Sequence, residues 1–298
     1  MVKKMKHIIL ANPVSGKKKG KLYALRVKDL LKKNNIDSEI ILSEYPKHLT
    51  KVAKELSQND KCRFYSLGGD GTLNEIATGI IGTDSEIVVV PCGTGNDFLR
   101  TISKYNSMRK IINASIQKDS TPTDVITFGK DRYCINILNM GFDAMIAKNV
   151  DKFRNVPLIS GSAKYNLSIM YSMASGKNFK FKISSNGKSM KGRFTLAVVA
   201  NGCYYGGGIK PCPNADVSDA LLDICLINST ETFAKLKLLP RYKKGNHLDL
   251  KQVNIFKTKE IKIVSTRKFP ISADGEMYYM NRLHIKVLPK ALNIVHID

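Results

Sequence analysis

The chain has 298 residues, 43% of them hydrophobic, which is enough for a substantial core and, by the ordinary size prior, about two domains. Its 48 lysines and arginines against 25 aspartates and glutamates give a formal charge of +23, which calls for an anionic partner: nucleic acid, an anionic membrane surface or a polyphosphate substrate. No apolar run nears the ~20 residues needed to cross a bilayer, and the lack of tryptophan leaves no sign of a base-stacking platform. Six cysteines (Cys62, Cys92, Cys134, Cys203, Cys212, Cys225) form no Cys-x-x-Cys pair, so they read as core residues of a reducing compartment, without disulfides or zinc.

In chain order, Ile8-Ile9-Leu10 predicts a first strand, not a signal peptide, because Asn12-Pro13 ends the run. Asn12-Pro13-Val14-Ser15-Gly16 is then a polar loop with lysines close behind, placed where a β-α turn would face a nucleotide. It lacks the spacing of a Walker A loop, and a solvated basic loop is the plain alternative. A helical pattern runs through Leu22, Leu25, Val27, Leu30 and Leu31, followed by a strand over Asp37–Ser43 and a helix over Thr50–Ser57.

The apolar run Cys62–Ser66 opens into Leu67-Gly68-Gly69-Asp70-Gly71-Thr72-Leu73-Asn74-Glu75. Its glycines let backbone N–H groups approach an anion, and the helix that follows aims its positive end at the same place. A carboxylate repels phosphate unless a cation lies between them, so Asp70 points to nucleotide phosphates together with Mg²⁺. The alternative is a tight turn capped by an ordinary aspartate. Ile87–Pro91 reads as a strand buried on both faces and opens into a second glycine turn, Cys92-Gly93-Thr94-Gly95-Asn96-Asp97-Phe98. The strand-helix alternation over residues 7–118 predicts a parallel, doubly wound sheet whose ligands gather at the carboxyl ends of its strands.

Beyond Asp124 the pattern changes. Residues 124–137 have hairpin spacing, Gly161–Ser175 reads as an amphipathic helix, and strand-like runs recur at 179–183, 192–200, 222–227, 253–256, 260–264 and 284–288. We therefore expect an α/β domain over 1–124 and a mainly antiparallel β domain of sandwich or barrel type over 125–298, with 293–297 returning to either. The basic stretch Lys235–Lys268, interleaved with leucines, reads as a solvated face or as a patch for anionic lipid. Asp274-Gly275-Glu276 reads in two ways, as a pair of carboxylates on one strand face or as a hairpin turn.

Taken together, Asn12–Gly16, Gly68–Glu75, Gly93–Phe98, Asn201-Gly202 with Gly206-Gly207-Gly208, Pro213–Asp216, Asp219–Asp223 and Asp274-Gly275-Glu276 resemble, in order, the bacterial lipid kinases of the diacylglycerol kinase and sphingosine kinase superfamily. The resemblance implies a kinase of NAD kinase/diacylglycerol kinase-like fold, with a β-sandwich second domain, that moves the γ-phosphoryl group of ATP to a lipid hydroxyl. Diacylglycerol, giving phosphatidic acid for phospholipid biosynthesis, is the prior. It implies ATP binding by Asn12, Pro13, Val14, Ser15, Gly16, Ser43, Gly68, Gly69, Asp70, Gly71, Thr72 and Thr94, and a general base at Asp274. Asp70, Asp97, Asp124 and Glu276 would hold the catalytic Mg²⁺, partly through waters, and Asp219, with main-chain oxygens of Asp216 and Leu221, a second, structural Mg²⁺. Ala220 departs from the family's usual glycine and puts that second metal in doubt. The expected setting is cytoplasmic and peripheral to an anionic membrane, with no nucleic acid partner and a homodimer left open. The competing readings are a phosphatidylglycerol or sphingoid kinase, an NAD kinase-like enzyme, and a non-catalytic basic binding protein.

Overall fold

The computed structural model describes residues 5–92, 96–141, 145, 178–229 and 232–297. Thr94, with its neighbours Gly93 and Gly95, and the helix expected over Gly161–Ser175 lie outside the described residues.

The first half alternates strands β1 (Lys6–Ala11), β2 (Glu39–Leu42), β3 (Cys62–Gly68) and β4 (Glu86–Pro91) with helices. These helices are α1 (Ser15–Lys18), α2 (Gly20–Lys32), α3 (His48–Asn59), α4 (Asp70–Ile80), α5 (Asp97–Ile102) and α6 (Met108–Gln117). The strands pair in parallel in the order β4-β3-β1-β2. Every residue of β3 is buried, which requires cover on both faces. Helices α2 and α6 pack as one pair and α3 and α4 as another. On α2 the buried positions are Gly20, Ala24, Val27 and Leu31, whereas Leu22 and Leu25 of the expected apolar stripe face outward. The register sets Ala11 beside Leu67 and Leu42, and Gly68 beside Pro91, so all four carboxyl ends finish level along one edge.

The second half comprises β5 (Thr121–Thr127), β6 (Tyr133–Cys134), β7 (Ile137–Gly141), β8 (Phe179–Ser185), β9 (Lys188–Ala200), β10 (Leu222–Asn228), helix α7 (Thr232–Lys244), β11 (Val253–Thr258), β12 (Glu260–Ala273) and β13 (Glu276–Ile294). Its strand pairings are antiparallel except for the last contact of β13. The long strands β9 and β12 each pair with β8 along one stretch and with β7 along another, closing a circuit around Phe181, Phe194, Phe269 and Ile271. The division expected after Asp124 falls inside β5, because β5 runs unbroken alongside β13. A bulge near Lys290 redirects β13, whose end Asn293-Ile294 pairs in parallel with β4, so the last strand joins the first half.

Helix α7 lies in the basic stretch, where no helix was expected. Leu238 and Tyr242, one helical turn apart, are buried with Ile137, Leu196 and Ile209, so they are unavailable to a membrane. All six cysteines are free thiols, and only Cys203 is not fully buried.

Candidate active site

Three segments meet at the level edge of the parallel sheet. The first is the Asn12 loop: Asn12 Oδ1 accepts the Val14 N–H at 3.1 Å, and the Asn12 N–H donates to Leu67 O at 3.1 Å, which ties the loop to the end of β3. Gly16 has φ +59 and lies so close to Cys92 that an added Cβ would stand 2.3 Å from its carbonyl oxygen. Only glycine brings the β1 and β4 turns together here. The Ser43 N–H donates to Ala11 O at 2.9 Å, which sets the end of β2 beside the same loop.

The second segment is the Gly68–Thr72 turn. Gly69 caps α4, leaving Asp70 in its first turn, and Thr72 folds back onto Gly68 so tightly that a Cβ there would meet Thr72 Oγ1 at 2.0 Å. The Asp70 carboxylate reaches across to the start of α5, where the Asp97 and Phe98 N–H groups donate to it at 3.4 and 3.3 Å. Burial, and next the charge of Asp97, push the Asp70 carboxyl up to about 6. Asp97 is only 3% exposed, and burial raises its carboxyl too. Its Oδ2 accepts the Gly207 N–H at 2.7 Å, while its buried Oδ1 accepts no hydrogen bond among the described residues and lies 3.5 Å from the Arg100 guanidinium. The three consecutive positive φ angles of Gly206, Gly207 and Gly208 turn backbone N–H groups toward Asp97, which explains the triple glycine.

The third segment is the turn between β12 and β13. Ala273 pairs with Glu276, so Asp274 and Gly275, with φ 47 and 89, form a two-residue hairpin loop. The turn reading holds, whereas the pair of carboxylates on one strand face does not form, since Asp274 lies in the loop and Glu276 begins β13. Asp274 points inward, where Oδ2 accepts the Ile135 N–H at 2.6 Å and Asn74 Nδ2 at 2.9 Å. Its Oδ1 accepts the Asn136 and Ile137 N–H groups at 3.1 and 3.2 Å and the Cys134 thiol at 3.2 Å. The amides of 135–137 that bind this carboxylate lie at the break between β6 and β7, within the hairpin expected over 124–137. Asn74 lies four residues after Asp70 on α4, so the two share a helix face, and the charge of Asp274 adds to the upward push on Asp70. Glu276 is exposed and accepts the Tyr278 hydroxyl at 2.6 Å.

Two expected Mg²⁺ sites can now be tested against the residues. Asp70 and Asp97 fit a divalent cation, because they are mutually repelling carboxylates and one buried oxygen lacks a hydrogen bond. Asp124 does not join them in this arrangement. It is fully buried, with Oδ1 on the Lys290 N–H at 2.8 Å and Oδ2 on the Ala220 N–H at 2.7 Å, and its nearest acidic influences are Asp219 and Asp216. The second expected set, with Asp216 and Leu221 acting through main-chain oxygens, fits poorly at Asp219, its one side-chain ligand. Asp216 Oδ1 is taken by the N–H and hydroxyl of Ser218, both at 2.9 Å, and Asp219 Oδ1 by the Leu221 N–H at 3.0 Å. Asp219 Oδ2 meets Lys257 Nζ at 2.6 Å. Among the described residues no three His, Cys, Asp or Glu side chains converge closely enough to hold a metal ion.

Sequence reasoning gave no site role to Asn74, the 135–137 corner, Asn201 or Lys257. Asn74 was legible as the i+4 neighbour of Asp70. Asn201, whose Nδ2 donates to Asp124 O and Ile135 O, each at 2.8 Å, was among the motifs of the resemblance but carried no role there.

Comparison with known proteins bears on the family and the fold. Residues 6–128 match the model of the diacylglycerol kinase catalytic domain, and residues 136–296 that of the YegS C-terminal NAD kinase beta sandwich-like domain. The Bacillus subtilis (strain 168) protein YtlR is 29% identical over 96% of this chain and 97% of its own length. A Shewanella frigidimarina protein named "Probable lipid kinase YegS-like" is 30% identical over 76% of this chain and 74% of its own. A Mycobacterium tuberculosis protein named "Diacylglycerol kinase" is 28% identical, again over 76% and 74%. In fold, the chain is like a crystal structure from Bacillus anthracis str. Sterne, with a TM-score of 0.80 at 23% identity over 98% and 97% of the two chains. With both halves matched in order and a relative 30% identical across most of its length, the chain belongs to the diacylglycerol kinase and YegS family of lipid kinases.

Proposed function

We propose that the protein transfers the γ-phosphoryl group of ATP to the hydroxyl of a lipid, with diacylglycerol as acceptor and phosphatidic acid as product. The observation that carries this reading is that Asp70, joined to the start of α5 beside Asp97, also feels the charge of Asp274 from the opposite half, to which Asn74 of the same helix donates. In the proposed reaction the amides of Gly68, Gly69, Gly71 and Thr72 and the Asn12–Gly16 loop cradle the phosphates beside Ser43. Asp70 and Asp97 hold Mg²⁺, which when bound neutralises charge on the transferring phosphate. The lipid oxygen attacks the γ-phosphorus, the bond to the β-γ bridging oxygen breaks, and ADP leaves.

The hydroxyl proton passes to Asp274. Asn74 and the 135–137 amides orient this carboxylate without meeting the substrate. Glu276 stands exposed at the same turn, where an entering headgroup would pass it. The large positive charge supports work at an anionic membrane surface.

The test is ATP and Mg²⁺ with vesicles containing diacylglycerol, phosphatidylglycerol or a sphingoid base, and with NAD in a separate reaction. Phosphatidic acid is the expected product. Phosphorylated NAD with every lipid inert would overturn the reading. Asp274→Asn should lower turnover by about 10²–10⁴-fold while ATP still binds.

A further inference from the structure

The acidic cluster of the second half departs from what the family resemblance implies. Asp124, Asp216, Asp219 and Asp223 influence one another there, yet each carboxylate already faces a donor from the chain. Asp124 has the Lys290 and Ala220 amides, Asp216 has Ser218, and Asp219 has the Leu221 amide. The Lys257 ammonium hydrogen-bonds Asp219 Oδ2 at 2.6 Å and stands as an ion pair 3.2 Å from the buried Asp223 Oδ2, which accepts no hydrogen bond. Mg²⁺ takes a full octahedron of oxygens and shares poorly with donors that point at the same lone pairs.

The position of Lys257 is set by the backbone. In the β10–β11 pairing Asp223 lies directly opposite Lys257, so the ammonium is delivered to the cluster by strand register. Asp223 is 3% exposed, whereas the Lys257 side chain is 35% exposed. One residue does what a bound cation would do, namely compensate two neighbouring carboxylates and tie the 216–223 loop to β11.

We propose that Lys257 replaces the second, structural metal ion, so that the 216–223 loop is held by an internal ammonium and needs no divalent cation. The inference concerns a different cluster from the proposed phosphoryl-transfer site, and it stands or falls by itself.

Thermal melting tests it, without nucleotide and at matched ionic strength, in an Asp70→Asn background that silences the first cation site. The expected melting temperature is the same in EDTA and in millimolar Mg²⁺ or Mn²⁺. Lys257→Met in that background should melt lower by roughly 3–8 °C, and Lys257→Arg should recover most of the loss. The proposal is overturned if Asp70→Asn alone loses several degrees in EDTA and Asp219→Asn removes that dependence. It is equally overturned if Lys257→Met melts with its parent. Should Lys257→Met fail to fold, equilibrium Mn²⁺ binding to Asp70→Asn decides: submillimolar binding that Asp219→Asn abolishes would show a metal site where the lysine sits.

Discussion

Two acidic clusters lie in this molecule, and they differ in who supplies the positive charge. At the ends of β3 and β4, Asp70 and Asp97 repel each other, one buried oxygen lacks a hydrogen bond, and among the described residues no ion pair reaches Asp70. Around β10, Asp219 and Asp223 are bridged by Lys257, and Asp124 and Asp216 are capped by backbone N–H groups. Counting carboxylates would call both clusters metal sites. The buried Asp223 Oδ2 lacks a hydrogen bond just as Asp97 Oδ1 does, so what separates the clusters is the lysine that the second one carries between its carboxylates.

The largest effect should come from removing one charge at the incomplete cluster. Asp97→Asn or Asp70→Asn should cut lipid phosphorylation by about 10²–10³-fold, the scale of losing a transition-state charge stabiliser. Asp219→Asn should leave the rate within a few-fold when assayed well below its melting temperature. If Asp219→Asn abolished phosphorylation in folded protein while Asp70→Asn did not, the roles of the two clusters would have to be exchanged.

Stability should move the opposite way. The Asp70 carboxyl titrates near 6 in the fold, above its ordinary 3.8, so folded protein binds this proton more tightly than the unfolded chain. Asp70 therefore costs nothing below about pH 4, costs more as the pH rises toward 6, and costs its full amount above. In EDTA at pH 7.5, Asp70→Asn should melt roughly 2–5 °C above wild type, and the gap should shrink as the pH is lowered to about 5. Asp219→Asn should instead melt roughly 2–6 °C below wild type, since it removes a partner of a half-exposed ion pair. Melting curves at two pH values check both signs, and a fall for Asp70→Asn would mean that its carboxylate is stabilising and compensated.

The open cluster was legible in sequence because its chemistry is local. Asp70 and Asp97 each follow a glycine turn at the end of an apolar run, and a parallel sheet brings such turns to one edge. Asp274 was legible only in part, since an Asp-Gly hairpin announces itself whatever the side chain then does. Its five donors come from Asn74 and from residues 134–137, far away in the chain, and no local spacing encodes that meeting. Lys257 was hidden for the same reason. It lies in a run of lysines that reads as a solvated face, and its meaning depends on pairing with Asp223 across the loop that carries α7. Tyr242 and Leu238 show the same limit, as apolar residues in a basic stretch whose burial is decided by the sheet they cover.

The smallest effect, at Ala220, asks which feature closes the second cluster. Ala220 has φ 60, a left-handed conformation that costs a residue with a Cβ about 1–2 kcal/mol, and its N–H donates to Asp124 Oδ2 at 2.7 Å. Ala220→Gly relieves that cost and adds back unfolded-chain entropy, so melting should rise by only about 1–3 °C. The rise should be equal in EDTA and in Mg²⁺, because the Lys257 ammonium still bridges Asp219 and Asp223. If Ala220→Gly instead acquired a Mg²⁺-dependent gain that its parent lacks, the methyl group would be what keeps the ion out. Lys257 would then be a displaceable neighbour, and the difference between the clusters would rest on one strained backbone position instead of a built-in charge.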